Sequence, residues 1–409
     1  MRSAPVLVAV FTILSALTSC KSPPKDSRPS PAAVRGDAER GRALVAQYEC
    51  TRCHAVDGVD APPKDKQCTG CHHDINSGAI TATQEQKARW QSKVGELGDV
   101  PSLVSTSSRL RAEWIRGFLL HPRDLRPALQ PTMPRLNLDE TQARDIAAFL
   151  SPSDDEPASA ASAALAGANP ARGRELMDVK GCGLCHQMTG VAAIHPGMLP
   201  TGVTVSGMAR AIRLAPDLRF TRDRWQPSSL VRWLQDPPKM KADTLMPSMG
   251  LAPGEARSIA AYVLLTSLAP VNPPATSVRL AALDRKVTYD EVATRVLRKT
   301  CWHCHGEPDF ERGDGGPGNS GGFGFKGRGL NLSDYPATFA GYLDDTGQRT
   351  SVFTPTADGT PFIVAAMLAR QKEEAGEEGA IRGMPLGLPA LPPEDVQLVD
   401  TWIAQGRPR

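Results

Sequence analysis

Arg40-Gly41-Arg42-Ala43-Leu44 leads into Cys50-Thr51-Arg52-Cys53-His54, and Arg172-Gly173-Arg174-Glu175-Leu176 leads into Cys182-Gly183-Leu184-Cys185-His186 at the same spacing of ten residues. Both stretches read as an amphipathic helix running into a Cys-x-x-Cys-His motif. The likeness continues downstream. Pro101-Ser102-Leu103 through Phe118-Leu119 and Pro122 aligns without a gap on Pro216-Asp217-Leu218 through Trp233-Leu234 and Pro237. Met133-Pro134 and Met246-Pro247 follow, each with Ile-Ala-Ala-aromatic thirteen residues on, Ile146 to Phe149 and Ile259 to Tyr262. Such self-similarity marks two copies of one supersecondary unit. A third segment keeps the outline: Cys301-Trp302-His303-Cys304-His305, then Met384-Pro385, a helix opening at Glu394-Asp395, and Val399, Trp402 and Ile403.

Nine cysteines are present, and eight fall into four Cys-x-x-Cys-His motifs: Cys50/Cys53/His54, Cys68/Cys71/His72, Cys182/Cys185/His186 and Cys301/Cys304/His305. The ninth is Cys20, so no cysteine remains for a disulfide framework. Two thiols three residues apart on a helical turn reach the two vinyl groups of one haem, and the next imidazole then reaches the iron. Four covalently attached haems c are expected, or three if the Cys68 motif carries none. Three readings compete, of which structural disulfides within Cys-x-x-Cys are strained and uncommon as scaffolds. A thioredoxin-like pair needs one motif in a βαβ pattern, and four copies without strands argue against it. A zinc site made of Cys50, Cys53, Cys68 and Cys71 has suitable spacing.

Helix, haem motif, loop, Met-Pro and a C-terminal amphipathic helix with a late aromatic resemble the class I cytochrome c domain. The resemblance covers most of 36–150 and 169–268. It is weaker over 286–409, where the Gly-rich insertion GDGGPGNSGGFGFKGRG separates motif from methionine. It implies an all-α fold of three cytochrome c-like helical domains whose first and last helices cross, joined by flexible linkers. It also makes Met133, Met246 and Met384 the sixth iron ligands, opposite His54, His186 and His305. Met249 rivals Met246, but the offset of 113 residues from Met133 lands on Met246. His/Met ligation raises the reduction potential relative to His/His. Phe149, Tyr262 and Trp402 are expected as core residues of the helix crossing.

The motif at Cys68 is the awkward one. His54 lies 79 residues before Met133, whereas His186 needs 60 to reach Met246 and His72 needs 61 to reach Met133. A helical stripe of Leu44, Val45 and Tyr48 precedes Cys50, while VDAPPKDKQ before Cys68 is broken by two prolines. Cys50/Cys53/His54 is therefore expected within the domain and Cys68/Cys71/His72 on an insertion near it. The partner of His72 stays open between His121, a methionine and none, with His73 too close to reach the same iron from the other face. His195 and His303 have no counterparts in the repeat and stay unassigned.

The N-terminal stretch carries Arg2, an apolar run from Val6 to Leu17 and small residues up to Cys20, which reads as a signal peptide over 1–19. Leu17-Thr18-Ser19-Cys20 resembles the lipobox of bacterial lipoproteins, which implies lipidation of Cys20. Lys21 stands where Asp would imply retention at the inner membrane, so the outer membrane is favoured. Residues 20–35 read as a Pro/Ser tether, and 151–168 and 269–285 as linkers. A formal charge of +3 over 409 residues gives no signal for nucleic acid. The expected function is a periplasmic, lipid-anchored electron carrier between redox proteins, not an enzyme. A dihaem-peroxidase-like enzyme or a haem-based redox sensor, using an open iron in the first domain, is the alternative.

Overall fold

The computed structural model describes residues 35–409 apart from 96, 124, 130–132, 153–154, 198–204, 272–277, 308–315, 317 and 378. Cys20, the signal segment 1–19 and all but Arg35 of the 20–35 tether lie outside the described residues. Among the described residues helix accounts for 48% and strand for 4%, so sheet forms no layer there. No helix among the described residues is long and apolar enough to cross a membrane.

In the first repeat, α1 (Ala38–Gln47), α2 (Cys68–Ser77), α3 (Gln84–Val94), α4 (Ala112–Leu120) and α5 (Glu140–Leu150) follow in order. The Asp37 side chain accepts from the backbone N–H groups of Glu39 and Arg40 and so starts α1. Asp139 and Gln142 form a reciprocal capping box at the start of α5. A short linking helix, α6 (Ala158–Ala164), precedes the second repeat, which holds α7 (Pro170–Val179), α8 (Val205–Leu214), α9 (Thr221–Arg224), α10 (Pro227–Gln235), α11 (Pro237–Met240) and α12 (Pro253–Leu265). Asn169 caps α7 as Asp37 caps α1, with Pro170 at the first turn.

The first and last helices of each repeat cross in contact, α1 on α5 and α7 on α12. The repeated glycine explains how closely. A Cβ on Gly41 would lie 2.0 Å from the Asp145 carbonyl oxygen, and one on Gly173 would lie 2.0 Å from that of Ser258. Val45, Ala143, Ile146 and Ala147 fill one crossing, and Leu176, Met177, Ala256, Ile259 and Ala260 fill the other. Polar groups pin the same place: Asp145 accepts from the Asp37 N–H at 2.7 Å and from Arg40 Nε at 2.9 Å, and Ser258 Oγ accepts from the Asn169 N–H at 3.2 Å.

One apolar core runs through both repeats. They meet at an antiparallel bridge between Leu110 and Trp225, beside a bond from the Arg111 N–H to the Arg224 carbonyl at 2.8 Å. Residues 110 and 225 are repeat counterparts, at the same offset as Pro101 and Pro216. The Ala/Ser/Pro stretch 151–168, expected as a linker without a helical stripe, contains α6 packed on α10. Alanine's high helix propensity accounts for a helix with no amphipathic pattern. Ser151 Oγ bonds the Leu110 carbonyl at 2.8 Å, and the Glu156 N–H bonds Gln226 Oε1 at 3.0 Å, which fastens the stretch down.

The third segment has a separate core of Val287, Val292, Val296, Leu297, Leu398, Val399 and Trp402. Its helix α13 (Tyr289–Val292) continues as a π-helical stretch, Ala293–Cys301, into the motif. After it come β1 (Gly321–Gly322) paired antiparallel with β2 (Phe325–Lys326), α14 (Tyr335–Phe339), β3 (Tyr342–Leu343) paired antiparallel with β4 (Arg349–Thr350), α15 (Phe362–Glu374) and α16 (Pro393–Ala404). Residues 278–285 run beside α16, with Arg279 on Asp400 at 2.8 Å and the Leu283 N–H on Thr401 Oγ1 at 3.0 Å.

The Gly-rich insertion is a docking element. The Phe323 N–H donates to Glu49 Oε2 at 2.9 Å, and the Arg52 guanidinium lies over the Phe323 ring at 5.3 Å. Gly324, at φ +77°, lies so close to Tyr48 that a Cβ there would be 2.5 Å from the ring. Arg382 extends the contact by bonding the Arg135 carbonyl and Asn137. The segment thus rests on the residues around the first Cys-x-x-Cys-His motif.

Candidate cofactor site

The motifs at Cys50, Cys182 and Cys301 make one and the same turn. In each, the histidine N–H bonds the first cysteine's carbonyl at 2.9 Å. Glu49 at φ 52° and Gly181 at φ 70° reverse the chain out of α1 and α7 just before the cysteines. The motif at Cys68 differs, because it begins α2 instead of following a helix. Helices α2 and α3 have their own small core of Ile75, Trp90 and Val94, with Cys71 packed on it. This hairpin adjoins the first motif: Thr69 Oγ1 bonds the Cys53 carbonyl at 3.3 Å, and the Cys53 thiol is hydrogen-bonded to Cys68.

His54 Nδ1 lies 2.7 Å from the Pro101 carbonyl oxygen, and His186 Nδ1 lies 2.9 Å from that of Pro216. A carbonyl only accepts, so Nδ1 carries the proton in both rings and Nε2 keeps its lone pair. The Pro-x-Leu segments are held in place from the other side. The Leu103 N–H bonds the Ala55 carbonyl and the Leu218 N–H bonds the Gln187 carbonyl, each at 2.9 Å and each beside the histidine. Burial lowers the pKa of both histidines, with the proline carbonyls opposing it. Both rings are therefore neutral and singly protonated, the form that binds a metal.

His305 is also neutral. Burial pushes it down to about 4, and its buried Nδ1 has no hydrogen-bond partner among the described residues. A Cβ on Gly318 would stand 1.9 Å from that nitrogen, so the Gly-rich insertion lies directly against the ring. His72 is half-buried, and its Nδ1 lies in reach of the Leu97 backbone without a well-formed hydrogen bond.

Burial drives the Cys50 and Cys182 thiols up to about 11 and Cys301 to about 12. Cys53 is raised first by its hydrogen bond with Cys68 and then by burial. At neutral pH these are thiols, not thiolates, which does not suit a dithiol exchange centre. Among the described residues no three His, Cys, Asp or Glu side chains gather to hold a bare metal ion, so the four-thiol zinc arrangement is not formed.

Met133, Met246 and Met249 pack, half-buried, on the same core as Cys50 and Cys182. Trp233 Nε1–H donates to Met246 Sδ at 3.0 Å, which sets Met246 apart from Met249. Met384 is half-buried, with its N–H on the Ala366 carbonyl at 2.9 Å. His73, His121 and His195 are exposed; His121 ends α4, and His195 Nδ1 accepts from the Gly197 N–H at 3.0 Å.

Two arginines absent from the sequence reading lie on aromatic rings of the two repeats, Arg109 over Trp233 and Arg224 over Trp114. Arg109 is buried, and Arg224, 115 residues on, is its repeat counterpart. Burial, then the charges of Arg109 and Arg126, hold Arg224 down to about 10; its buried Nε has no hydrogen-bond partner among the described residues, and its guanidinium lies over the Trp114 ring at 5.0 Å. Arg109 donates to the Ser105 and Val104 carbonyls at 3.4 and 3.3 Å. The repeat alignment was the signal that could have found them. No family model, curated protein or solved structure matches the chain.

Proposed function

We propose that the chain is a multihaem c-type cytochrome that carries electrons between redox proteins, with four covalently attached haems. The observation that carries this reading is the pairing of His54 with the Pro101 carbonyl and of His186 with the Pro216 carbonyl. A metal-bound histidine donates its second ring N–H in this way, which fixes the tautomer and aims the other nitrogen. Cys50/Cys53, Cys68/Cys71, Cys182/Cys185 and Cys301/Cys304 would hold the macrocycles, and His54, His72, His186 and His305 would ligate from one side. The orphaned Nδ1 of His305 fits the same group. Met133, Met246 and Met384 would supply the opposite ligand in each of three cytochrome c-like units. Bound haem iron supplies a one-electron couple.

The protein residues insulate and align. Apolar side chains of the shared core exclude water from the motifs, and the crossed helices keep them in register. The lipobox-like Leu17–Cys20 extends the proposal to a lipid anchor on the periplasmic side of a bacterial membrane, with the outer membrane favoured.

Mass spectrometry of the denatured mature protein tests the reading. Four haem units should remain on the polypeptide, joined to a reduced spectrum with sharp low-spin bands. A polypeptide without covalent haem, isolated from a host with a working haem-attachment system, would sink it.

A further inference from the structure

The half-buried ring of His72, in the first repeat, faces the ring of His303, in the third segment. Their centres are 6.3 Å apart and their planes are inclined by 46°. The two residues lie on different elements, α2 and the motif after the π-helical stretch, and meet because the α2–α3 hairpin docks on the third segment. Lys93 Nζ, on α3, bonds the Arg298 carbonyl at 3.3 Å in the same contact.

The separation has a chemical meaning. Two imidazoles on opposite sides of one metal ion, each bound at about 2.0 Å through a nitrogen about 1.15 Å from its ring centre, stand about 6.3 Å apart centre to centre. Rings in direct contact also span about 4.5–7 Å, so the pairing draws equally on His72 following Cys68 and Cys71 in a Cys-x-x-Cys-His motif. Each coordinated ring contains the ligand axis in its plane, so the rings are able to rotate about that axis and 46° is permitted.

We propose that His303 is the second axial ligand of the iron whose first ligand is His72. This rests on the haem reading above and deepens it. The motif Cys301-Trp302-His303-Cys304-His305 then serves two irons, its own through His305 and its neighbour's through His303. The unit at His72 is a bis-histidine site of lower potential than the His/Met sites. It is also closed, which removes the open iron that a peroxidase or ligand sensor needs. Covalent attachment to α2 with ligation from the third segment would clamp that segment onto the first repeat.

The test uses the haem-loaded full chain. Near-infrared and low-temperature electron paramagnetic resonance spectra of the oxidised protein should show one bis-imidazole iron among sulfur-ligated ones. His303→Ala should abolish that signal, convert one haem of four to a high-spin form that binds carbon monoxide, and leave the others unchanged. His303→Met should replace the bis-imidazole signal by a further sulfur-ligated one and raise one potential. His73→Ala and His121→Ala should keep the wild-type spectrum. A bis-imidazole signal that survives in His303→Ala with four haems still attached would overturn the ligation alone. A mass of three haems with Cys68 and Cys71 unmodified would overturn it together with the four-haem reading.

Discussion

Replacing Gly173 by alanine sets two opposing effects against each other. In a helix interior alanine is favoured over glycine by about 1 kcal/mol, so propensity alone predicts a more stable protein. The added Cβ, however, would lie 2.0 Å from the Ser258 carbonyl oxygen, 2.5 Å from its carbon and 3.0 Å from the Ile259 nitrogen. All three are backbone atoms and have no rotamer to escape into. Restoring an ordinary carbon–oxygen contact of about 3.3 Å requires α7 and α12 to part by about 1.3 Å. That loosens Leu176 and Met177 against Ala256, Ile259 and Ala260, and such overpacking costs about 1–3 kcal/mol. A backbone clash belongs at the upper end, so the net loss should be about 1–2 kcal/mol. Gly117→Ala, in α4, is the control, since a Cβ there meets nothing within 4 Å and should stabilise by about 0.5–1 kcal/mol. Urea unfolding of the haem-loaded protein, followed by far-ultraviolet circular dichroism, reads both. A Gly173→Ala protein as stable as the wild type, or two substitutions of the same sign, would refute the close-crossing argument.

Three further outcomes are expected. Trp233→Phe removes the hydrogen bond to Met246 Sδ, worth about 0.5–1 kcal/mol. It should lower one midpoint potential by about 20–45 mV; spectroelectrochemistry with no shift would detach Trp233 or Met246 from the iron. Asp145 is held below the usual carboxylate range by its hydrogen bond from Arg40, with the Asp37 N–H adding to it. A depressed folded pKa gives stability that is present above the unfolded value near 4 and lost as pH falls through the folded value. Asp145→Asn should therefore differ most from wild type above about pH 4, and urea midpoints that stay equally separated in acid would contradict the ion pair. Cys20→Ser should move the protein, haems intact, from the membrane to the soluble periplasmic fraction; retention at the membrane would remove the lipid anchor.

The repeat made much of this legible. Gly41 and Gly173 stood at matching positions, and their role at the crossing follows once α5 and α12 are paired with α1 and α7. Pro101 and Pro216 were aligned in sequence, but that their carbonyls meet His54 and His186 is a tertiary fact with no local pattern. The 151–168 stretch read as a linker because α6 is alanine-rich on all sides, and periodicity fails where no face is distinguished. The Gly-rich insertion looked like an interruption. Its glycines have meaning only beside what they touch, Gly318 at His305 and Gly324 at Tyr48. His72 and His303 are 231 residues apart on unlike elements, so nothing in either neighbourhood announced the other.

The bridge between Leu110 and Trp225 joins a position to its own counterpart, as in a two-fold dimer. Here the two partners share one chain. A short tether supplies an effective concentration on the order of 1 mM, so an interface worth only about 4 kcal/mol is already half closed, and each further 1.4 kcal/mol closes it tenfold more. Two separate molecules of the first repeat would have to be millimolar to pair as well. Tethering also relaxes the demand for self-complementarity, because a change in one half is not imposed on the other. Phe118 and Trp233 have diverged at one such position, and the indole that reaches Met246 Sδ exists on one side only. On the proposed haem reading, a contact inherited from symmetry leaves two joined sites able to hold different potentials.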